Sequence, residues 1–463
     1  MKNFICKNAL GCCLVAVFLF LGQAAHGQTV APKPLLQDLK VYTDPAPTGN
    51  SDSSLVKKTG SSEAVVANRA ISADPVLADV AIPGYSGILV ETLDGKTIVE
   101  SASNLAFNPA SNVKIATAYA VLKTFGPGYR FPTNVWTDGT IDAATSTLNG
   151  NVYISGRDPV FGYEHAITIA SELNKLGIRN ITGDLVVTDN FAMNYSESVT
   201  RSSQTLFATL DASKRSPAAT RVWLNFLSNS GRSTMTAIPT VTFTGGVYAQ
   251  PIPSSLKLLF THESAPMREI IKATLCYSNN FLAERLGDML GGPYAVARIV
   301  QQNTGAQPSD FYLQTSSGLG INRVTPAAMM SLLRVLRSEL AKSKMTFADI
   351  MPVAGIDKGT LENRFDTDFS RGSVVGKTGT LGNTDGGVSA LAGEINTRSG
   401  RLLFVVFNQR GSVARFRAFQ NSYVSLIQGQ FGGAAPINYK ATPLDVRLAR
   451  SRVTYADVRS ARN

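Results

Sequence analysis

Asn108-Pro109-Ala110-Ser111-Asn112-Val113-Lys114-Ile115-Ala116-Thr117 reads as the start of a helix that carries a serine and, one turn on, a lysine. Pro109 has the backbone angle that a first helical turn needs and lacks the N–H that such a turn leaves unpaired. Residues 110–122 combine strong helix formers with apolar side chains at helical spacing. Positions three apart share one face of a helix, so Ser111 Oγ and Lys114 Nζ can meet. A lysine kept neutral by desolvation and nearby positive charge can take the serine proton, which makes the two a candidate nucleophile and base. Ser-x-x-Lys also recurs by chance on surface helices, so the rest of the chain has to decide.

Just upstream, Ser86-Gly87-Ile88-Leu89-Val90-Glu91-Thr92-Leu93-Asp94-Gly95-Lys96-Thr97-Ile98-Val99-Glu100 is two short strands around an Asp-Gly turn. Far downstream, residues 372–380, 387–395 and 401–407 read as three more strands, and 413–427 as a closing helix. Helical patterns occupy 267–290, after Pro266 and before Gly291-Gly292, and 326–340, with Pro326 at the start. The economical assembly is one five-stranded antiparallel sheet drawn from both ends of the chain, with helices on both faces. Between the ends, 150–155 and 183–188 read as strands and 166–176 as a helix closed by Gly177, while 196–216 looks polar and turn-like. These residues form a small inserted α/β domain. The expected organisation is a signal peptide at 1–27, a poorly ordered lead-in at 28–74, the larger domain in two parts at 75–130 and 248–428, the insert at 131–247, and a C-terminal extension at 429–463.

Lys2 and Lys7, the apolar run 9–21 and the small residues Ala25-His26-Gly27 predict export and cleavage before Gln28. That apolar run is shorter than the ~20 residues a membrane span needs, and no second segment is apolar enough, so no transmembrane anchor is expected. Cys6, Cys12 and Cys13 leave with the signal, so Cys276 has no partner for an intrachain disulfide. Only His165 and His262 then remain, which argues against a histidine-rich metal site and a histidine-based serine triad. No metal or other cofactor is expected. Loss of Lys2 and Lys7 takes the net charge from +11 to +9. The basic residues are scattered rather than blocked, which favours an anionic polymer or surface outside the cytoplasm over nucleic acid.

Three motifs stand in order: Ser111-Asn112-Val113-Lys114, Ser278-Asn279-Asn280 and Lys377-Thr378-Gly379-Thr380. The first lies at a helix start, the second where two helical stretches meet, the third on a strand. Together they match the set used by penicillin-binding proteins and serine β-lactamases. Further segments narrow the match, among them Ile154-Ser-Gly-Arg-Asp-Pro159, Thr182-Gly-Asp-Leu-Val-Val187, His262-Glu-Ser-Ala-Pro266, Ser317-Gly-Leu319, Pro352-Val-Ala-Gly355 and Gly376-Lys-Thr-Gly-Thr-Leu381. Over roughly residues 86–419 the chain resembles peptidase family S13, the D-alanyl-D-alanine carboxypeptidase/endopeptidases also known as low-molecular-mass class C penicillin-binding proteins.

The resemblance implies a serine β-lactamase/penicillin-binding transpeptidase-like fold and a periplasmic enzyme acting on peptidoglycan peptides, with β-lactams as covalent inhibitors. It implies Ser111 as nucleophile and Lys114 as general base. Ser278 relays a proton to the departing amine, and Asn280 holds the substrate backbone and Lys114. Lys377, with the hydroxyls of Thr378 and Thr380, receives the terminal carboxylate, and the charge of Lys377 helps keep Lys114 neutral. Gly379 lets the strand lie close to the acyl group, and the amides of Ser111 and Thr380 form the oxyanion hole. Taken singly, Ser278 also suits a buried helix serine, Asn280 a helix cap and Lys377 a surface lysine. Asp158 and Glu284 read as structural, Cys276 as a buried spectator, and His262 as loop support. The chain departs from the family at Asn279, where Asp is usual, at Thr315-Ser-Ser-Gly-Leu-Gly320, and in the extra residues Gly382-Asn-Thr-Asp-Gly-Gly387. A serine β-lactamase and a catalytically weak peptidoglycan-binding protein are the competing readings.

Overall fold

A computed structural model describes residues 69–232 and 237–455, which fall within one compact unit. The expected signal peptide and most of the lead-in lie outside the described residues, as do Cys6, Cys12 and Cys13.

The main sheet is antiparallel throughout and has six strands, one more than the sequence pattern implies. Its order is Ile71–Ser72, Thr97–Ser101, Tyr85–Thr92, Gly400–Gln409, Val388–Thr397 and Val374–Leu381. The extra strand comes from residues expected to be a poorly ordered lead-in. Ile71 pairs with Glu100 and Ser72 with Val99, and Ser72 Oγ donates to Ile98 O at 2.8 Å. Two residues are too few to show a period, yet they cover an otherwise open edge.

Alternation along the strands builds two cores. Leu89, Val405, Phe407, Ala390 and Val375 face one side, against the helices Val113–Phe125, Met267–Cys276 and Pro326–Lys342. Ile88, Val90, Phe404, Val406 and Leu391 face the other, against Tyr423, Val424 and Ile427 of the helix Val413–Gln430. The helix Val113–Phe125 is buried on all sides from Val113 to Leu122, as expected of a central helix rather than a surface one. Each fully buried aliphatic side chain there contributes about 1.5–3 kcal/mol. This helix therefore has little freedom to shift, and it carries Lys114.

The inserted region has its own mixed sheet and its own core. The sheet order is Val247–Ala249, Leu185–Val187, Val152–Gly156, Pro132–Thr137, Lys257–Glu263 and Arg452–Thr454. Val152–Gly156 runs parallel to Leu185–Val187 and antiparallel to Pro132–Thr137. Lys257–Glu263 lies beyond the expected limit at 247 but pairs along Pro132–Thr137, so it completes this sheet. Residues 196–216, expected to be turn-like, contain the helix Val199–Leu210, which Ser198 caps by accepting from Arg201 N at 3.2 Å. Its buried face mixes Leu206 and Leu210 with Ser202 and Ser203, which hides the helical period.

The C-terminal residues were expected to lie outside the core. Instead Arg452–Thr454 extends the insert's sheet, and Arg447 and Arg450 each donate to Glu269 at 2.9 Å. Glu269 lies on the helix Met267–Cys276, is 1% exposed, and would be a costly isolated charge without them. Among the described residues, no helix is long and apolar enough to cross a membrane.

Candidate active site

The nucleophile candidate sits in a strained turn. Ala110 is buried with φ 46°, a left-handed conformation that a residue with a Cβ adopts only when its surroundings demand it. Asn108 holds the turn from inside, its Oδ1 accepting from Ala110 N at 3.0 Å. A short 3-10 turn, Ala110–Asn112, then leads into Val113–Phe125 and leaves Ser111 half-buried.

Two glycines let neighbouring chain approach this turn. A Cβ at Gly379 would lie 2.6 Å from Pro109 O, and one at Gly318 would lie 2.0 Å from Ala110 O. Gly318 also has φ +90°, so both its size and its backbone conformation are required. The strand Val374–Leu381 and the 315–320 loop thus close on the serine from two directions.

Lys114 points into the space between these elements. Its Nζ donates to Ser111 Oγ at 3.1 Å, Asn280 Oδ1 at 2.7 Å and Ser317 O at 2.6 Å. It is 1% exposed, and burial takes its pKa from 10.5 down to about 7, with the negative charge of Glu284 opposing the fall. Lys377 is also fully buried. Its Nζ donates to Ser278 Oγ at 2.9 Å and to Thr378 O at 2.6 Å. Burial, and then the charge of Lys114, push Lys377 well below the ordinary lysine range. Desolvation, rather than a charged Lys377, is therefore the first reason Lys114 is deprotonated so readily.

Ser278 and Asn280 come from a break between two helices, where the sequence puts the meeting of two helical stretches. Met267–Cys276 ends, Ser278 takes φ 54°, and Asn280–Asp288 begins. Asn279 caps the second helix by accepting from Leu282 N at 3.0 Å. Asparagine caps a helix as well as the aspartate it replaces, without adding a charge beside two lysines. Gly359 and Thr360 brace the break, with Thr360 N donating to Cys276 O at 3.0 Å. Cys276 is buried and its thiol is pushed up to about 12 by burial, so it is not a reactive thiolate.

The structure thus brings the five residues together as two hydrogen-bonded sets, Ser111–Lys114–Asn280 and Ser278–Lys377, joined through the chain at Ser278-Asn279-Asn280, with Thr378, Gly379 and Thr380 on the strand beside them. Three further residues take part. Glu284 accepts from Ser316 N at 3.1 Å and Ser317 N at 3.0 Å, which sets the carbonyl of Ser317 on Lys114. Asp385, from the extra 382–387 segment, accepts from Asn108 Nδ2 at 2.8 Å and forms a two-pronged ion pair with Arg323 at 2.9 and 3.0 Å. Arg417 donates to Thr380 Oγ1 at 2.9 Å. Glu284 lies one turn after Asn280 on the same helix face, a spacing that was available to sequence reasoning; Asp385 and Arg417 carry no local signal.

The buried histidines of the insert stand apart from this network. His165 and His262 rings lie 4.8 Å apart, and burial holds His262 well below its ordinary value. Burial raises nearby Asp158 to about 6. Among the described residues, no group of histidine, cysteine and carboxylate side chains could hold a metal ion.

Comparison with known proteins identifies the family and the fold. The model of the D-Ala-D-Ala carboxypeptidase 3 (S13) family matches residues 70–220 and 236–427. A D-alanyl-D-alanine carboxypeptidase from an Actinomadura species is 25% identical, over 78% of this chain and 85% of that protein. A penicillin G-acylated predatory endopeptidase from Bdellovibrio bacteriovorus, solved with an immunity protein, superposes with a TM-score of 0.68 at 24% identity, covering 80% of this chain and 99% of that one. Penicillin binding protein 4 from Haemophilus influenzae gives 0.56 at 20% identity, covering 76% and 97%. These structural likenesses establish a penicillin-binding-protein type of α/β fold with mixed sheets and flanking helices. The chain is a member of the S13 family of D-Ala-D-Ala carboxypeptidases.

Proposed function

We propose that this protein is a serine D-alanyl-D-alanine carboxypeptidase that also cleaves D,D-cross-links of peptidoglycan, acting in the periplasm through a Ser111 acyl-enzyme. The observation that carries the proposal is Lys114. A buried amine 3.1 Å from Ser111 Oγ, with a pKa of about 7, is a base poised near neutrality.

On this reading Lys114 Nζ takes the Ser111 proton as Oγ bonds to the carbonyl carbon of the penultimate D-alanine. The amides of Ser111 and Thr380 stabilise the oxyanion, and Asn280 orients both Lys114 and the substrate backbone. The C–N bond then breaks as Ser278 gives its proton to the departing amine. Ser278 is reprotonated through Lys377, and the proton taken from Ser111 restores the lysine pair. Water next attacks the ester, Lys114 accepts its proton, and the C–Oγ bond breaks as Ser111 regains one.

Glu284 favours a peptidase over a β-lactamase. Both its oxygens accept backbone N–H groups, so it is occupied as a brace rather than free to activate water for rapid deacylation. The penicillin G-acylated structural relative supports acylation by β-lactams.

The test is release of D-alanine from muropeptides ending in D-Ala-D-Ala. Wild type is expected to release it and Ser111→Ala to release none. A wild type without activity, or an undiminished Ser111→Ala, would overturn the proposal.

A further inference from the structure

Beside the buried lysines, the far end of the strand Val374–Leu381 emerges into solvent at Thr380. Lys377, although part of this strand, does not present its amine there. Its Nζ is committed to Ser278 Oγ and Thr378 O, and it is fully buried. A fixed positive charge at the exposed end has to come from elsewhere.

Arg417 supplies one. It lies in the N-terminal part of the helix Val413–Gln430, is exposed, and donates from Nη2 to Thr380 Oγ1 at 2.9 Å. The helix contains no acidic residue to offset it. A second guanidinium, Arg364, is near enough for Arg417 to help lower its pKa to about 10, behind the larger effect of burial. Among the described residues, Arg364 itself bonds to neutral amides, Asn421 Oδ1 at 2.8 Å and Gln420 Oε1 at 3.1 Å. Among the described residues, neither guanidinium has a carboxylate within ion-pair distance. The exposed end of the strand therefore carries the Arg417 guanidinium with no anion of its own, and a second guanidinium behind it.

Resting on the proposed peptidase function, we infer that Arg417 and the Thr380 hydroxyl together receive the carboxylate carried by the leaving amine. Because Arg417 donates to Thr380 Oγ1, that hydroxyl is free to turn its own proton outward. The rest of the planar guanidinium offers parallel N–H groups, the arrangement that suits a carboxylate. Arg417 is a binding residue for the leaving group, and Lys377 remains inside with Ser278. A terminal D-alanine and a penicillin present a carboxylate of the same kind to this point.

The experiment measures second-order acylation rates for penicillin G and for its methyl ester, which lacks the charge. Arg417→Ala is expected to lose about 10- to 100-fold with the acid, as for a charged hydrogen bond, and less than about 2-fold with the ester. Arg417→Gln keeps an N–H for Thr380 without charge and is expected to behave like Arg417→Ala, while Arg417→Lys recovers part of the loss. The thermal midpoint is expected to be unchanged in all three. Equal loss with acid and ester, or no loss, would overturn the role of Arg417 while leaving the acyl-enzyme intact. A wild type acylated by neither compound would overturn both.

Discussion

Titrating the wild-type protein between pH 5 and pH 10 changes the protonation of Lys114 in the middle of the range, and the rate of acylation should follow it. Burial takes Lys114 from 10.5 to about 7. That fall corresponds to roughly 5 kcal/mol of penalty for holding an ammonium at this position instead of in water. The base must be neutral to act, so acylation is lost as pH falls through about 7 and reaches a plateau above it. With this value about a tenth of the molecules carry the neutral amine at pH 6 and about nine-tenths at pH 8, a rise of roughly tenfold. Below pH 6 the rate should fall about tenfold per unit. An ordinary lysine would behave differently: about 0.03% of it would be neutral at pH 7, and the rate would climb about tenfold per unit past pH 9. The assay is covalent labelling with a fluorescent penicillin, whose own carboxylate stays ionised over this range. Glu284→Gln adds a second arm. Removing the charge that holds the lysine pKa up should move the midpoint to lower pH, even though the brace on Ser317 is weakened. A flat profile, or one still rising at pH 10, would refute Lys114 as the desolvated base.

Other parts of the structure make independent predictions. Asp385→Ala should slow acylation about tenfold and cost about 1–2 kcal/mol in thermal denaturation, because Arg323 and Asn108 lose their shared partner. An unchanged acylation rate would show that the clamp does not position the serine. Gly318→Ala would place a methyl group 2.0 Å from Ala110 O at φ +90°, so acylation should drop by at least about tenfold and stability by about 1–3 kcal/mol. A variant with wild-type kinetics would contradict the close approach. Arg447→Ala leaves Glu269, 1% exposed, with Arg450 and Arg268 as its remaining cationic partners, and urea denaturation should read a loss of about 2–3 kcal/mol. A loss below about 0.5 kcal/mol would show that the C-terminal strap does not stabilise the helix leading to Ser278.

What could be read in advance was local. The Asp-Gly hairpin, the three later strands and the closing helix each carry their own period, and all appear in the main sheet and on its face. Ile71–Ser72 is too short to have a period, and Val199–Leu210 hides its period behind buried serines. Lys257–Glu263 and Arg452–Thr454 owe their place to partners distant in the chain, which no window of sequence contains. The site divides in the same way. Ser111, Lys114, Ser278, Asn280 and Lys377 fall in short motifs, so their types and spacing were legible. Glu284 also reads as structural in the sequence, but the partners of the braces were not legible: Glu284 reaches Ser316 across 32 positions, Arg417 reaches Thr380 across 37, and Asp385 reaches Arg323 across 62. The expected effect of Lys377 on Lys114 also needed depth within the fold, since burial of both amines, not the sign of one, dominates their protonation.

The acyl-enzyme is tested most directly by the mass of the intact protein after mixing with penicillin G. Wild type should gain the mass of one penicillin, proteolytic mapping should place it on Ser111, and Ser111→Ala should gain nothing. A wild type that gains no mass, or a Ser111→Ala variant that gains the same mass, would contradict the account.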